Sequence, residues 1–574
     1  MEKRVFLAIF LCFIVVWVWQ AYFVPKPPPP ALTPAAPGSA VTPGAPPTES
    51  PAAAAVAPPA AVPETPGAAP LVADAAARDI LIETDSVRAV FSTAGAVLKS
   101  WKLKKYQDDN RQPLDLVPQD MPPGTTRPFT LATDDAGLTQ TLSRALFKPS
   151  KEGLSLGSAA GTLSFQYQDA SGLNARKTFY FQPDGHAYVV NVEAAIDVGG
   201  APKAVEIDWG PALGLGYSPD GSQSVPVRAI QFRNDDVERF TADEVREQGR
   251  YDGPLRYAGV DEHYFLSAAL PGTQTVTVQY TPLALPVAGN TEGLVRTFIG
   301  YRVRVQSPSH GAATLPYFMG PKDFDLLKAV DVQLSRAIDF GMFAWLVVPL
   351  LQSLKWINGF LGNFGWSIIV LTLLINFAMF PLRHKSMVSM RKMQALQPEV
   401  KGIQDRYAKY KLTDPERQKM NQEMMALYKQ KGVNPASGCV PMLLTMPVLF
   451  AFYQMLAASI ELRGAPFVGW ITDLAKMDPW FVTPIIMGGT MFWQQKMMPT
   501  SADPVQAKMF MFMPLIFTVM FLWAPSGLVI YWLVSNVMTI GQQYLTNRII
   551  GAPVRPPHPP RAVPATADKI RKRP

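Results

Sequence analysis

Cysteine is almost missing from this chain. Cys12 and Cys439 are the two in 574 residues, and both lie within or beside apolar runs. Such placement supports neither a disulfide framework nor a Cys-based zinc site, and each reads as structural. Histidine is nearly as scarce: the five, His186, His263, His310, His384 and His558, are scattered, with none inside an apolar span. No H-E-x-x-H occurs, so an intramembrane protease using a Ser–His pair or a zinc ion lacks its base or its ligands. A G-x-x-x-x-G-K-S/T loop is also absent. Without a nucleotide site, any work must draw on hydrophobic transfer, the membrane potential or a partner.

What the chain has is sharply segmented character, and its length calls for at least two folded parts. Glu2-Lys3-Arg4 precede an apolar run from Val5 to Val24, about 20 residues, the length needed to cross a bilayer core. The run lacks an A-x-A-like exit, and Ile9-Phe10-Leu11 before Cys12 lack the small residues of a lipoprotein signal. We therefore expect residues 1–24 to form an uncleaved anchor with its basic end in the cytoplasm. Residues 25–77 are almost entirely Pro, Ala, Gly, Thr and Val, a composition expected to form a disordered linker. Residues 78–330 switch to period two, as in Leu163-Ser164-Phe165-Gln166-Tyr167 and Thr275–Tyr280, with a Pro183-Asp184-Gly185 turn. That pattern predicts a large β-sandwich domain.

Residues 331–364 are amphipathic and aromatic, with Pro349, Lys355 and Asn358 as breaks and Trp345 and Trp356 suited to the headgroup region. They predict a helix lying in the membrane interface, with a further full span over Phe340–Leu354 as the alternative. Residues 365–550 hold spans at about 365–383, 437–460, 481–497, 509–524 and 526–548, which with the anchor make six. Between the first two, a basic segment at 384–434 predicts a helical hairpin. Leu396, Val400, Ile403 and Tyr407 keep helical spacing, Thr413 and Glu416 have capping-box spacing, and Gly432 and Pro435 close the element. Arg383–Lys431 carries twelve Lys/Arg against five Asp/Glu, and Arg548–Pro574 carries seven against one. Six spans place both basic segments, including the tail 551–574, on the cytoplasmic side and the β-domain outside.

Polarity inside the spans is the chemical signal. Thr372 and Asn376 share a helix face, and Gln454, Gln494, Gln495, Ser535 and Asn536 occur in other spans. Unpartnered amides in hydrocarbon cost roughly 2–7 kcal/mol, so these groups predict a shared wet interior or interhelical glue. Methionines mark the hairpin (Met387, Met390, Met393, Met420, Met424, Met425) and the spans (Met442, Met446, Met509, Met511, Met513, Met520). Flexible thioethers suit either core filling or an adaptable apolar surface. A polar-faced span running into a basic, methionine-rich hairpin suits a membrane machine that handles polypeptides.

A set of motifs runs in order from about Trp356 to Arg548. They are Gly365-Trp366-Ser367-Ile368-Ile369, Met379-Phe380-Pro381-Leu382, Leu396-Gln397-Pro398, Gln422–Tyr428, Asn434-Pro435, Gly438-Cys439, Met446-Pro447 and Pro525-Ser526-Gly527-Leu528. On these motifs the chain resembles the YidC/Oxa1/Alb3 family in its Gram-negative form, with anchor, linker and large β-domain. The resemblance implies an α-helical polytopic membrane protein of the inner membrane, multi-pass, with a five-helix insertase core and an all-β periplasmic β-supersandwich resembling galactose mutarotases. It implies insertion and chaperoning of membrane proteins through a hydrophilic groove open to cytoplasm and lipid, alone or beside the Sec translocon. Nascent membrane proteins, the ribosome and lipids are the implied partners, with no cofactor, no metal, no catalytic residues and no specific nucleic-acid site. By the same resemblance Thr372, Asn376, Gln495 and Trp532 belong to the groove. Met446, Leu449 and Phe517 belong to an apolar slide, and Met390, Arg391, Lys392, Met393 and Met424 to the receiving hairpin. The family's groove arginine aligns with Asn376, a departure, and Arg383 seven residues on is the expected replacement charge.

Two other classes remain open at this point. A channel or transporter would explain the intramembrane polarity, but repeated halves and an acidic ring are missing. A membrane-tethered carbohydrate enzyme would need clustered His and carboxylates in the β-domain, where no constellation is legible.

Overall fold

A computed structural model describes residues 68–550, apart from 109–110, 120, 123, 183–185, 212, 214–226, 287–294, 307–311, 411–413, 434–439 and 498–503. The expected anchor at 1–24, most of the linker and the tail 551–574 lie outside these residues, as do Pro183–Gly185 and Thr413.

Alternation builds the β-domain. In Gly161–Asp169 the side chains of Leu163, Phe165 and Tyr167 are buried while Gln166 and Gln168 are exposed. In Thr275–Pro286, Val276, Val278 and Tyr280 point inward and Gln279 outward. Because side chains alternate faces, each strand offers one apolar face to a shared core. Leu173–Phe181 and Val189–Val198 pair antiparallel, with Phe181 opposite Val190, so the expected hairpin forms with longer strands than the apolar runs alone suggest.

Among the described residues, these strands belong to an 11-stranded sheet running from Pro70–Val72 through Gly161–Asp169, Ala312–Pro321 and Tyr257–Asp261 to Asp236–Phe240. A 5-stranded sheet centres on Val295–Val305, and another 5-stranded sheet centres on Val87–Ser92. The strand Pro70–Val72 falls inside the stretch 25–77 expected to be disordered: it pairs with Gly161–Asp169, so backbone hydrogen bonds order the end of that segment. Where the sheets meet, Trp209 lies near-parallel to both Tyr301 and Tyr317, and Phe129 meets Trp209 and Tyr317 edge-on. Short helices α1 (Ala136–Arg144), α2 (Ala242–Glu247) and α3 (Phe324–Val330) decorate this domain, each opened by an Asp or Thr side chain that accepts from the first turn.

After α3 the chain makes 3₁₀ turns at Val332–Ala337 and Gly341–Phe343 before α4 (Ala344–Leu361). The helix is therefore shorter than the 331–364 expected, because Asp331 caps a separate turn first. Val347, Leu351, Leu354 and Ile357 bury one face of α4, and Trp345, Trp356 and Phe360 stay exposed on the other. Gly362, at φ 65°, ends it in the left-handed conformation that glycine permits.

Helix α5 (Phe364–Ala395) opens on Asn363, whose Oδ1 accepts from the N–H groups of Gly365 and Trp366. It continues through Pro381 for 32 residues, so the span and the start of the basic segment form one helix. The hairpin proper is α6 (Gln397–Arg406) and α7 (Pro415–Gln430). Asp414 caps α7 by accepting from the Glu416 N–H, standing directly before the first helical residue. Met420 is buried, which makes it filler within the hairpin rather than surface. Glu423 ties the two helices together through Arg406 and the Tyr407 hydroxyl. Then follow α8 (Val440–Ala458), α9 (Val482–Met497), α10 (Pro504–Phe521) and α11 (Ser526–Ile550). Among the described residues one helical stretch, Phe364–Met393, is by itself long and apolar enough to cross a membrane, and Met446–Ala458 and Met511–Phe521 are shorter apolar helices.

Candidate functional site

The polar face of α5 is packed against a polar stripe on α11. Ser535, Thr539, Gln542 and Thr546 recur at intervals of four, three and four, which places them on one side of a helix. Thr372 and Asn376 are 0% and 1% exposed, and neither leaves its polar atoms idle. The Thr372 hydroxyl donates to Ile368 O at 2.6 Å within its own helix. Asn376 Nδ2 donates to Thr372 O at 2.8 Å and to Ser535 Oγ at 3.3 Å. Gln542 Nε2 reaches across to Asn376 O at 3.2 Å, and His384 Nδ1 lies 3.3 Å from Thr546 Oγ1.

Arg383 completes the seam. Its Nη1 donates to Asn376 Oδ1 at 2.7 Å and to Thr539 Oγ1 at 3.2 Å. Helical side chains lean toward the N-terminus, so a long arginine two turns beyond Asn376 naturally reaches back to it. No carboxylate pairs with Arg383 among the described residues. A second polar contact joins the other flank of α11 to α9: Asn536 Nδ2 donates to Thr490 Oγ1 at 3.2 Å, and Gln543 Nε2 donates to Met497 O at 2.6 Å. Gln542 and Gln543 are both buried, and the Oε1 of each is unpartnered among the described residues.

The structure thus joins Thr372, Asn376 and Arg383 in one network. Gln495 is half-buried on α9, and Trp532 is half-buried on α11. Trp532 packs against Phe521 and Phe517, with ring centroids 4.9 and 5.8 Å away, so a groove candidate and a slide candidate meet in one aromatic cluster. Met446 and Leu449 stand on α8, separately placed. In the basic segment Arg391 and Met393 are half-buried and Lys392 is exposed at the end of α5, Met424 is half-buried on α7, and the Met390 side chain lies outside the described residues. Thr539, Gln542, Gln543, Thr546 and His384 were not among the expected site residues. The spacing of polar groups after Ser535 is the signal that would have marked the first two and Thr546.

A cation with no carboxylate partner among the described residues, held in a polar seam between apolar helices of a chain that also carries a large β-domain, points to a membrane protein with a polar interior. Family models agree with that class: one described as the 60Kd inner membrane protein matches residues 356–552, and one described as the YidC periplasmic domain matches residues 79–353. The membrane protein insertase YidC of Syntrophus aciditrophicus is 34% identical over 569 residues, covering 96% of this chain and 100% of that one. The insertase of the same name from Geobacter sulfurreducens is 38% identical over 473 residues, covering 82% and 86%. A solved structure of an active YidC insertase with its first transmembrane domain resolved matches with TM-score 0.33 and 19% identity, covering 84% of this chain and 95% of that one. The chain belongs to the YidC family of membrane protein insertases. Family membership does not favour the channel or transporter reading.

Proposed function

We propose that this chain inserts membrane-spanning segments of newly made proteins into the bacterial inner membrane, and helps them fold there, through a wet groove whose positive charge is Arg383. Thr372, Asn376, Gln495 and Trp532 line the groove, Met446, Leu449 and Phe517 form the apolar slide, and the basic segment with Met390, Arg391, Lys392, Met393 and Met424 receives the client. The observation that carries the reading is the Arg383 guanidinium, oriented by Asn376 and Thr539 and lacking a carboxylate among the described residues. Arginine stays charged in proteins, and a charge in a poorly solvated site is most stable with a counter-ion. An acidic stretch of a client supplies one.

The energetics suit the task. A client helix of about 20 apolar residues is stable in lipid once there, but its polar flank must cross hydrocarbon in which each unpaired group costs several kcal/mol. A groove reaching part-way into the bilayer shortens that crossing and offers temporary partners. No chemical step is required, so the chain works without catalytic residues or a cofactor. Six spans, with both termini cytoplasmic and the β-domain periplasmic, are supported by the two basic segments and the positive-inside rule. Nascent membrane proteins, lipids, the Sec translocon and the ribosome are the partners of this arrangement.

Insertion of a single-span client with an acidic flank into proteoliposomes tests the assignment. Arg383→Ala is expected to abolish insertion and Asn376→Arg to preserve it; the opposite pattern removes Arg383 from the mechanism. A photoreactive residue at position 376 is expected to crosslink a stalled nascent client.

A further inference from the structure

Helix α8 carries two of the slide candidates, yet much of what holds it lies outside the other apolar helices. It packs chiefly on α4, with smaller contacts on α5, α11 and the turn at Gly341–Phe343. Phe343 stacks on Phe450 with ring planes 4° apart, and Gln454 Nε2 donates to Asp339 O at 3.1 Å. The end of the helix is held by the β-domain. Ala457 lies in the last turn, where carbonyls have no partner within the helix. Its oxygen lies 2.8 Å from His263 Nε2, and since a carbonyl can only accept, that nitrogen carries the proton. His263 comes from the loop joining Tyr257–Asp261 to Phe265–Ala269, two strands of the 11-stranded sheet.

Immediately after α8, Glu461 is tied to α4. Lys355 of α4 pairs with Glu461 at 3.1 Å, and the same ammonium meets Asp325 at 2.6 Å and Asp323 at 3.4 Å, both at the start of α3. One lysine therefore holds together the interfacial helix, the exit of the β-domain and the end of α8. Burial pushes the Glu461 carboxyl up, and the Lys355 charge is the chief opposing influence. Two residues further on, the Arg463 guanidinium lies over the rings of Tyr264 and Phe265, 5.8 and 5.1 Å from their centroids. Apart from the Phe343–Phe450 stack near the middle of the helix, these contacts engage the C-terminal end of α8. The opposite half carries Met446, about 17 Å from Ala457 at 1.5 Å rise per residue, so a small tilt at the held end becomes a larger displacement at the slide.

We propose that His263 and Lys355 are positioning residues through which the β-domain sets the angle of α8, and with it the opening of the groove toward lipid. The functional part of this inference rests on the groove reading; the positioning itself does not. It is measured in full-length protein in proteoliposomes, with Cys12→Ser and Cys439→Ser and spin labels at Phe377→Cys on α5 and Met446→Cys on α8. A single narrow distance distribution is expected. The pair His263→Ala with Lys355→Ala broadens or shifts it, and His263→Gln with Lys355→Arg, which returns an N–H donor and a cation, restores it. A control pair at positions 377 and 544, on α5 and α11, stays unchanged.

An unaltered 377–446 distribution in the alanine variant overturns the proposal. So does a parallel change in both label pairs, which marks general loosening rather than control of α8. Client crosslinking from position 449 is expected to fall in the alanine variant while crosslinking from 376 persists. Absence of client crosslinks at both positions in the unaltered chain would count against the groove, while the distance measurement would still decide the positioning.

Discussion

Arg383 donates to the Asn376 side-chain oxygen at 2.7 Å across two turns of α5, so a neutral amide orients a charge that stands seven residues away. Both donors and the acceptor atom of Asn376 are engaged: its Nδ2 serves Thr372 O and Ser535 Oγ, and its Oδ1 accepts the guanidinium. Arg383 keeps its full charge without a neutralising carboxylate among the described residues. The amide therefore holds the cation in place while leaving it available.

Changing that one oxygen separates stability from activity. Asn376→Asp puts a carboxylate where Oδ1 now accepts, neutralises Arg383 and is expected to lower insertion while leaving thermal stability equal or higher. Asn376→Leu removes the acceptor altogether and is expected to cost about 1.5–3 kcal/mol, as for loss of a hydrogen bond to a charged group. Thermal melts and proteoliposome insertion on the same preparations check both. An Asn376→Asp protein that inserts at the full rate contradicts the role given to the free charge.

Lys177 is a buried ammonium in the β-domain that donates to Gly95 O, Ala96 O and Phe129 O at 3.1, 2.9 and 2.5 Å. All three carbonyl-bearing residues have positive φ, 71°, 47° and 67°, so the cage has a strained backbone. Lys177→Met leaves those carbonyls unpaired and is expected to lower the melting temperature. Burial pushes the Lys177 ammonium down to about 7 from 10.5. Between those values the unfolded chain binds the extra proton, so the stability margin of the natural protein over Lys177→Met widens as pH rises through the window. Melts from about pH 7 to about pH 10 measure it, and a margin that narrows would refute the assignment.

Asp478 is buried where the chain enters α9 and accepts from the Trp470 indole, the Trp480 and Thr483 N–H groups and the Thr483 hydroxyl. Burial opposes its charge, but these donors together hold the carboxyl below its usual range. Its stabilisation is thus present above the ordinary carboxylate range and lost as pH falls through the lowered value. Asp478→Asn is expected to cost on the order of 2 kcal/mol near neutrality. The melting curves of the two proteins should converge on strong acidification.

Gly488 lets α9 approach α10. A Cβ there would sit 2.0 Å from Thr518 Oγ1 and 3.1 Å from its Cβ. Gly488→Ala is expected to force the helices apart at a cost of about 1–3 kcal/mol, the usual penalty of overpacking. Adding Thr518→Ala should recover part of the loss. A double variant no more stable than Gly488→Ala alone would place the strain elsewhere.

Much of the local structure is legible in the chain because periodicity is local. Alternation at Leu163–Tyr167 marks a strand whichever sheet receives it, and helical spacing from Leu396 to Ile403 marks a helix whatever covers it. The acid–proline pair Asp414-Pro415 likewise announces where a helix starts, because φ preference and capping act within a few residues. The charge at Arg383 and the polarity of Thr372 and Asn376 are also plain from residue type and spacing.

Tertiary structure decided which of these groups meet. Asn376 and Ser535 are 159 residues apart, and their hydrogen bond exists because α5 and α11 pack with their polar faces together. The burial of Met420 within the hairpin, and the use of His263 from a β-domain loop to serve the end of α8, depend equally on packing between distant segments. By itself the sequence determined the strands, the helices and a polar face in an apolar helix, since each follows from side chains a few residues apart. Packing alone determined that Arg383 also donates to Thr539, since that depends on how two helices lie against each other.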